Sequence, residues 1–217
     1  MTGASDHAGT APGAPRPAGS PDSIAGGGVT PGGGAPVGAD AGTWHGHRGA
    51  PLARVATVDD AAAIAAIYNQ GIEDRTATFE TDYRSAGDVT LWFDAVHPIV
   101  VVEDGPGGTV VGFASTSTYR PRRAYAGIAE FSVYVARGSR RHGVGRAAML
   151  ALAEAAAKAG FWKLVSRVIV SNGASRSLLR SVGFREVGIY RRHARLDGAW
   201  RDVVIVELLI GEAAEEP

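Results

Sequence analysis

The feature that most constrains this chain is an apolar run, AEFSVYV at residues 129–135, followed after Ala136 by RGSRRHGVGR at residues 137–146 and then by a stretch rich in alanine and leucine. The run reads as a buried strand, the arginine- and glycine-bearing segment as a loop, and the last stretch as a helix. Such a loop presents successive backbone N–H groups to an anion, with the partial positive charge of the helix behind them. Arg140, Arg141 and Arg146 add formal charge, while Gly143 and Gly145 let a phosphate approach the backbone without a Cβ in the way. Glu130 sits on the strand just upstream. An anion cradle beside a strand-borne carboxylate suits group transfer.

Three glycine patterns could describe the cradle. A mononucleotide loop needs G-x-x-x-x-G-K-[ST], and Gly138 to Gly143 has the glycine spacing. Val144 and Gly145 then stand where the lysine and the magnesium-holding hydroxyl belong. The dinucleotide fingerprint G-x-G-x-x-[GA] fits Gly143, Gly145 and Ala148, but its glycines must begin almost where the strand ends. Here residues 136–142 intervene, and no acidic residue ends the next strand, residues 163–170, to hold a ribose. The third pattern, R-x-x-G-x-G from Arg140 through Arg141, His142, Gly143 and Val144 to Gly145, suits a longer loop and is the one adopted.

Residues 1–51 are a different material: mostly Gly, Ala, Pro, Ser, Thr and Asp, with almost no branched apolar side chains. Such a segment cannot bury enough surface to offset its ordering entropy, so a disordered tail is expected. His45 and His47 lack a third ligand nearby, which favours a solvated tail over a metal site. Residues 52–212 suffice for one domain, followed by a short acidic end at 213–217. With 22 basic and 22 acidic side chains, the charge balance argues against general nucleic-acid or acidic-membrane binding. The chain has no cysteine, which excludes disulfides, thiolate metal sites and a cysteine nucleophile. No apolar run approaches a membrane span, and the N-terminus lacks a signal-peptide pattern. A soluble, cytoplasmic protein without metal is expected.

Residues 54–58 read as a first strand. Asp59 is the expected N-cap of a helix carrying Ala62, Ile64, Ala65, Ile67 and Tyr68. Ser85 is the expected cap of a second, carrying Val89, Trp92, Phe93 and Val96 and ending before Pro98. Strands at 99–102 and 109–118 form a hairpin, and 128–136 is the central strand. A long helix over 145–159 ends at Gly160, a strand covers 163–170, and a short helix covers 174–182. Strands at 184–195 and 202–209, turned at Asp197 and Gly198, close the chain. The order β-α-α-β-β-β-α-β-α-β-β predicts an α/β (α+β) fold, a mixed sheet with helices on both faces.

At these motifs the chain resembles the GNAT superfamily of acetyl-CoA-dependent N-acetyltransferases. Within it, the chain is most similar to the phosphinothricin and arsinothricin N-acetyltransferase branch. Supporting segments are YNQGIE at 68–73 with FET at 79–81, YRPRRAY at 119–125, the strand at 129–135, GFWK at 160–163, Asn172 with Ser175, Gly183 with Phe184, and DGAWRDV at 197–203. They run from about Arg54 to Leu209. The resemblance implies the GNAT fold, with a mostly antiparallel sheet, and a coenzyme A pyrophosphate gripped at residues 140–145. It implies that Val133, Tyr134 and Val135 lend backbone groups to the cofactor arm where two strands splay apart, and that Asn172 contacts that arm. It also implies Glu130 as general base, with Arg120, Arg122 and Tyr125 holding the substrate's acidic groups and Phe79 walling its pocket.

Each assignment has a plainer alternative. Amide formation needs a neutral amine, and Glu130 could take its proton or merely pair with an arginine. It shares a period-two face with Ser132 and Tyr134, read as the polar face of the strand. The two valines are expected in the core, Asn172 could simply cap a helix, and Phe79 could be a core aromatic. Asn69 and Glu73, one helical turn apart, could hold the amine or secure the following loop. Leu179 stands where many GNAT enzymes carry a tyrosine as general acid, leaving Tyr134, water or an unaided thiolate.

The expected activity is acetylation of the α-amine of a small acidic amino acid or analogue, giving resistance by detoxification. The alternatives are another amine (a protein N-terminus or a polyamine) and a non-catalytic acyl-CoA-binding module. A homodimer built on residues 202–210 is expected.

Overall fold

A computed structural model describes residues 50–215. Most of the expected tail, with His45 and His47, lies outside the described residues. Seven strands form one sheet: β1 (Leu52–Val55), β2 (Ile99–Glu103), β3 (Val110–Thr118), β4 (Ile128–Val135), β5 (Lys163–Ile169), β6 (Arg185–Leu196) and β7 (Ala199–Leu209). Their spatial order is β1-β2-β3-β4-β5-β7-β6. Every pairing is antiparallel except β4 with β5. That parallel pair is joined by the crossover helix α3 (Val144–Lys158), since parallel neighbours need a long connection. The helices α1 (Ala61–Asp74), α2 (Ala86–Thr90) and α4 (Gly173–Ser181) complete the domain.

The sheet is apolar on both faces, so each face carries a core. Ala148, Met149, Leu152 and Ala156 of α3 pack on one side against Val100, Val102, Phe131 and Leu164. Ile64, Ile67, Tyr68 and Ile72 of α1 pack on the other against Val101, Phe113 and Tyr134. The expected polar face of β4 is therefore corrected. Tyr134 stacks on Phe113 at 5.3 Å between ring centroids and meets Tyr68 edge-on at 4.9 Å. It is a core aromatic. Gly71 is small for this reason, because a Cβ there would lie 2.8 Å from the Tyr134 ring.

One helix start and one helix end differ from expectation in instructive ways. Thr57, not Asp59, precedes a short 3₁₀ turn at Val58–Asp60, and α1 begins at Ala61. Asp60 is engaged elsewhere, accepting from the Thr57 backbone N–H and from both terminal nitrogens of Arg54. Ser85 caps α2 as expected, accepting from the Asp88 N–H. The helix stops at Thr90, however, because the Asp94 carboxylate collects the N–H groups of Val96 and His97 into a tight turn. Trp92 still reaches the core, edge-on to Tyr68 at 5.5 Å.

The last strands also differ. β7 lies between β5 and β6, paired on both sides, and Ile210 is buried. It offers no free edge for a partner. The edge strand at this end of the sheet is β6, which exposes Val187, Ile189 and Tyr190.

Candidate active site

β4 and β5 pair over three positions only: Ile128 with Lys163, Ala129 with Leu164, and Glu130 with Val165. Beyond Glu130, β5 continues against β7 along its whole length, and the two parallel strands part. The fork is the structural origin of the site, because no ladder bond runs from residues 132–135 to β5.

A cleft of about 370 Å³ opens there. Val133, Tyr134 and Val135 form one wall, and Asn172 with Leu178 of α4 faces them. A smaller cavity of about 70 Å³ adjoins at the fork, sharing Val133, Tyr134 and Asn172 and adding Arg167 of β5. Leu179 lines it too and is buried, so no ionisable group stands at that position.

The cradle forms at the far end of β4. A 3₁₀ turn at Arg137–Ser139 is followed by Arg141 at φ 67° and Gly143 at φ 82°. Two left-handed residues turn the chain sharply into α3, a conformation that Gly143 adopts without a Cβ penalty. Arg140, Arg141, Gly143 and Gly145 all border the cleft, as does Arg146. Val144 does not: its side chain is buried against Gly112, so it could serve a ligand only through its backbone. His142 is exposed and outside the cleft wall.

The cradle is braced by α1. Arg140 donates to Asp74 at 2.6 Å and to the Val135 carbonyl at 3.2 Å. Arg137 donates to Asp74 at 2.8 Å and to Glu73 at 2.7 Å, and its backbone N–H reaches the Gln70 side chain. Burial pushes the Asp74 carboxyl up, but the bonds from Arg137 and Arg140 outweigh it and hold it below its usual value. Among the described residues, Arg141 and Arg146 have no acidic partner. Two uncommitted guanidinium groups beside the N-terminus of a 15-residue helix make a site suited to a phosphate-bearing ligand.

Asn172 performs two tasks. Its Oδ1 accepts from the Ser175 N–H at 3.0 Å, capping α4, and its Nδ2 donates to the Thr76 carbonyl at 3.0 Å. The cap anticipated as its plainer role is present, and the side chain borders the cleft as well. Asn69 secures the loop after α1 by exchanging two 2.9 Å bonds with the Arg84 backbone.

Glu130 is 7% exposed and paired to Arg167. The arginine turn lies at the opposite end of β4 from the cradle. There the Arg120 guanidinium sits 5.4 Å above the Tyr119 ring, whose phenol raises its pKa, and Tyr119 meets Tyr125 edge-on at 6.0 Å. Arg120 and Arg122 are exposed; Phe79 and Tyr125 are half-buried. None of the four borders the cleft. β4 thus acts as a ruler, with the turn before it, Glu130 near its start, and the cradle roughly 17 Å beyond Glu130 at about 3.3 Å per residue. Among the described residues no three His, Cys, Asp or Glu side chains gather as a metal site, and no helix is long and apolar enough to cross a membrane.

Sequence reasoning missed Arg167, Asp74 and Arg137. Arg167 left a signal, a guanidinium beside the apolar residues of a strand, Leu164, Val165, Val168 and Ile169. Asp74 left none, because only the docking of α1 brings it to the loop.

The chain is similar to several known proteins. A model of the Acetyltransferase (GNAT) family matches residues 64–184. The L-methionine sulfoximine/L-methionine sulfone acetyltransferase of Pseudomonas paraeruginosa is 32% identical over 168 residues, 76% of this chain and 97% of that protein. The phosphinothricin N-acetyltransferase of Alcaligenes faecalis is 36% identical over 162 residues, 71% of this chain and 80% of its own. A phosphinothricin acetyltransferase from Sinorhizobium meliloti, solved in complex with acetyl-CoA, superposes with a TM-score of 0.70 at 27% identity, covering 77% of this chain and 93% of that one.

Proposed function

The chain belongs to the Acetyltransferase (GNAT) family, and from that premise we propose that it acetylates the α-amine of a small acidic amino acid or analogue. Phosphinothricin, arsinothricin and methionine sulfoximine represent the class. Two relatives named for acetylating such compounds support it. The observation that carries the reading is the placement along β4 of a buried carboxylate, an open fork and an anion cradle in which, among the described residues, Arg141 and Arg146 have no acidic partner.

The cleft fits acetyl-CoA. Arg141, Arg146 and the first N–H groups of α3 would hold its pyrophosphate, and residues 133–135 would line its arm. Bound acetyl-CoA supplies a thioester acetyl group, which passes to the amine nitrogen with release of the coenzyme thiol. Glu130 takes the proton that an amino-acid ammonium must lose before its nitrogen can attack. The guanidinium groups of Arg120 and Arg122, beside the start of β4, would attract the acidic end of the substrate. Acting in the cytoplasm on such a toxic analogue, the enzyme would confer resistance. If the active form is a homodimer, its second copy seats against the exposed face of β6 rather than β7, and gel filtration giving one subunit's mass would exclude it.

The test is coenzyme thiol release with phosphinothricin, arsinothricin, methionine sulfoximine, glutamate and spermidine, using wild type and Glu130→Gln. Turnover on an acidic analogue, lost in the variant while acetyl-CoA still binds, is expected. Turnover with spermidine alone would overturn the substrate class.

A further inference from the structure

β5 is apolar at Leu164, Val165, Val168 and Ile169, yet Arg167 stands among them, next to Ser166. Its guanidinium pairs with Glu130 across the point where β4 and β5 separate. The carboxylate side chain is 9% exposed and the guanidinium side chain 35%. Arg167 forms part of the wall of the small cavity, and Glu130 does not. One oxygen of the carboxylate that should accept an amine proton, Oε1, is thus engaged, and an arriving substrate meets the guanidinium first.

We propose that Arg167 is an exchangeable partner of Glu130. The α-carboxylate of the incoming amino acid takes over the guanidinium and frees Glu130 for the amine of the same molecule. This rests on the acetyl-transfer reading above. In an α-amino acid the amine and the carboxylate sit on the same carbon. A base and a guanidinium that begin in contact can therefore, once parted, each hold one of those groups. The exchange replaces one charge-assisted bond with another, and the guanidinium fork can donate bidentately to a carboxylate. An amine without a carboxylate would open the pair and offer the guanidinium only water in exchange, forfeiting the charge-assisted bond that an amino acid restores. One ammonium proton moves to a Glu130 carboxylate oxygen, the amine becomes neutral, and Arg167 stays protonated throughout. Arg167 is thus a specificity and positioning residue, separate from the arginine turn.

The test uses the full chain with acetyl-CoA and four acceptors: phosphinothricin and L-methionine sulfone, each as the free amino acid and as its α-carboxamide. Wild type should prefer the free acids by roughly 10- to 100-fold in kcat/KM, the range expected of one charged hydrogen-bonded contact. Arg167→Gln should lose that preference, mainly through a raised KM for the free acids, with the carboxamides served no worse than by wild type. Arg167→Lys should restore part of the preference, and carries the test if the glutamine variant fails to fold. Equal losses on acid and carboxamide in both variants, with the preference intact, would make the pair a structural strut and overturn the proposal. So would a wild type indifferent to the carboxylate. Wild type binding acetyl-CoA but inert on all four acceptors would instead sink the substrate reading, and this proposal with it, before any variant is made.

Discussion

Two arginine–carboxylate clusters in this molecule use the same groups at similar burial for different ends. In the first, Arg54 on β1 bonds Asp60 with both terminal nitrogens at 2.8 Å and Glu103 through Nε at 2.7 Å. Asp60 also accepts from the Thr57 N–H and Glu103 from the Gly107 N–H. In the second, Arg167 on β5 bonds Glu130. The arginine side chains are 38% and 35% exposed, and the carboxylates 8–9% in both clusters. Burial and pairing therefore do not separate them. What does is bonding capacity left over beside a space: Arg54 is spent on two acids, whereas Arg167 has one and borders a cavity. The first cluster ties an edge strand to the start of α1, and the second stands at the fork where chemistry can occur.

The sharpest way to break this contrast is to neutralise one acid from each cluster. Glu130→Gln should lower kcat by about 10²- to 10⁴-fold, the usual contribution of a positioned base. Its melting temperature should fall only a few degrees, because the partly exposed guanidinium left behind can still meet water. Thiol-release kinetics and thermal unfolding on the same preparation check both halves. A variant that loses stability but keeps turnover would place Glu130 in the same structural class as Asp60.

Much of this arrangement was legible in the sequence, and the boundary has a physical cause. Local patterns found β4, the cradle loop, α3 and the final hairpin, because periodicity, glycine placement and turn chemistry are written within a few residues. The cradle arginines fell on the cleft for the same reason, whereas Asn172 was placed there by the family resemblance. The misses at the site are matters of docking. The Glu130–Arg167 pair spans 37 positions, and Arg140–Asp74 spans 66; neither leaves a local pattern. The second face of β4 was misread because Tyr134 looks amphipathic in sequence, and only α1 and Phe113 make it a core residue. Asp59 is a sound helix cap by type. It lost to Thr57, which starts the 3₁₀ turn, and to Asp60, which stands at the start of α1 with its carboxylate held by Arg54 six positions earlier.

Asp60→Asn tests the other side of the comparison. It should cost about 1–2 kcal/mol, allowing for screening of the part-exposed Arg54, or roughly 3–6 °C in a domain of this size. Turnover by the folded fraction should not change. The Arg54 guanidinium is the largest influence holding the Asp60 carboxyl below its ordinary 3.8. Because that value is depressed on folding, the stabilisation is complete above the unfolded pKa and disappears as pH falls through the folded one. The gap between wild type and variant should therefore be full near neutrality and close progressively below about pH 4. A gap independent of pH would mean that shape rather than charge accounts for it.

Asn172 belongs to both classes, and so sharpens the comparison with the smallest expected effect. It is structural through its bond from the Ser175 N–H and local to the cleft through its bond to the Thr76 carbonyl. Asn172→Ala removes both and should cost about 1 kcal/mol, the usual value of a helix cap, with a modest rise in KM for acetyl-CoA. Asn172→Asp separates the two roles. A carboxylate still caps α4, and the helix N-terminus favours its charge. It cannot donate to Thr76, and it sets a negative charge in the same cleft as Arg140 and Arg141. Stability of the aspartate variant should therefore stay above that of the alanine variant while its KM for acetyl-CoA rises further. If the two constants instead move together, the staple to Thr76 serves the fold alone, and cleft residues would divide by contact with the ligand rather than by position on its wall.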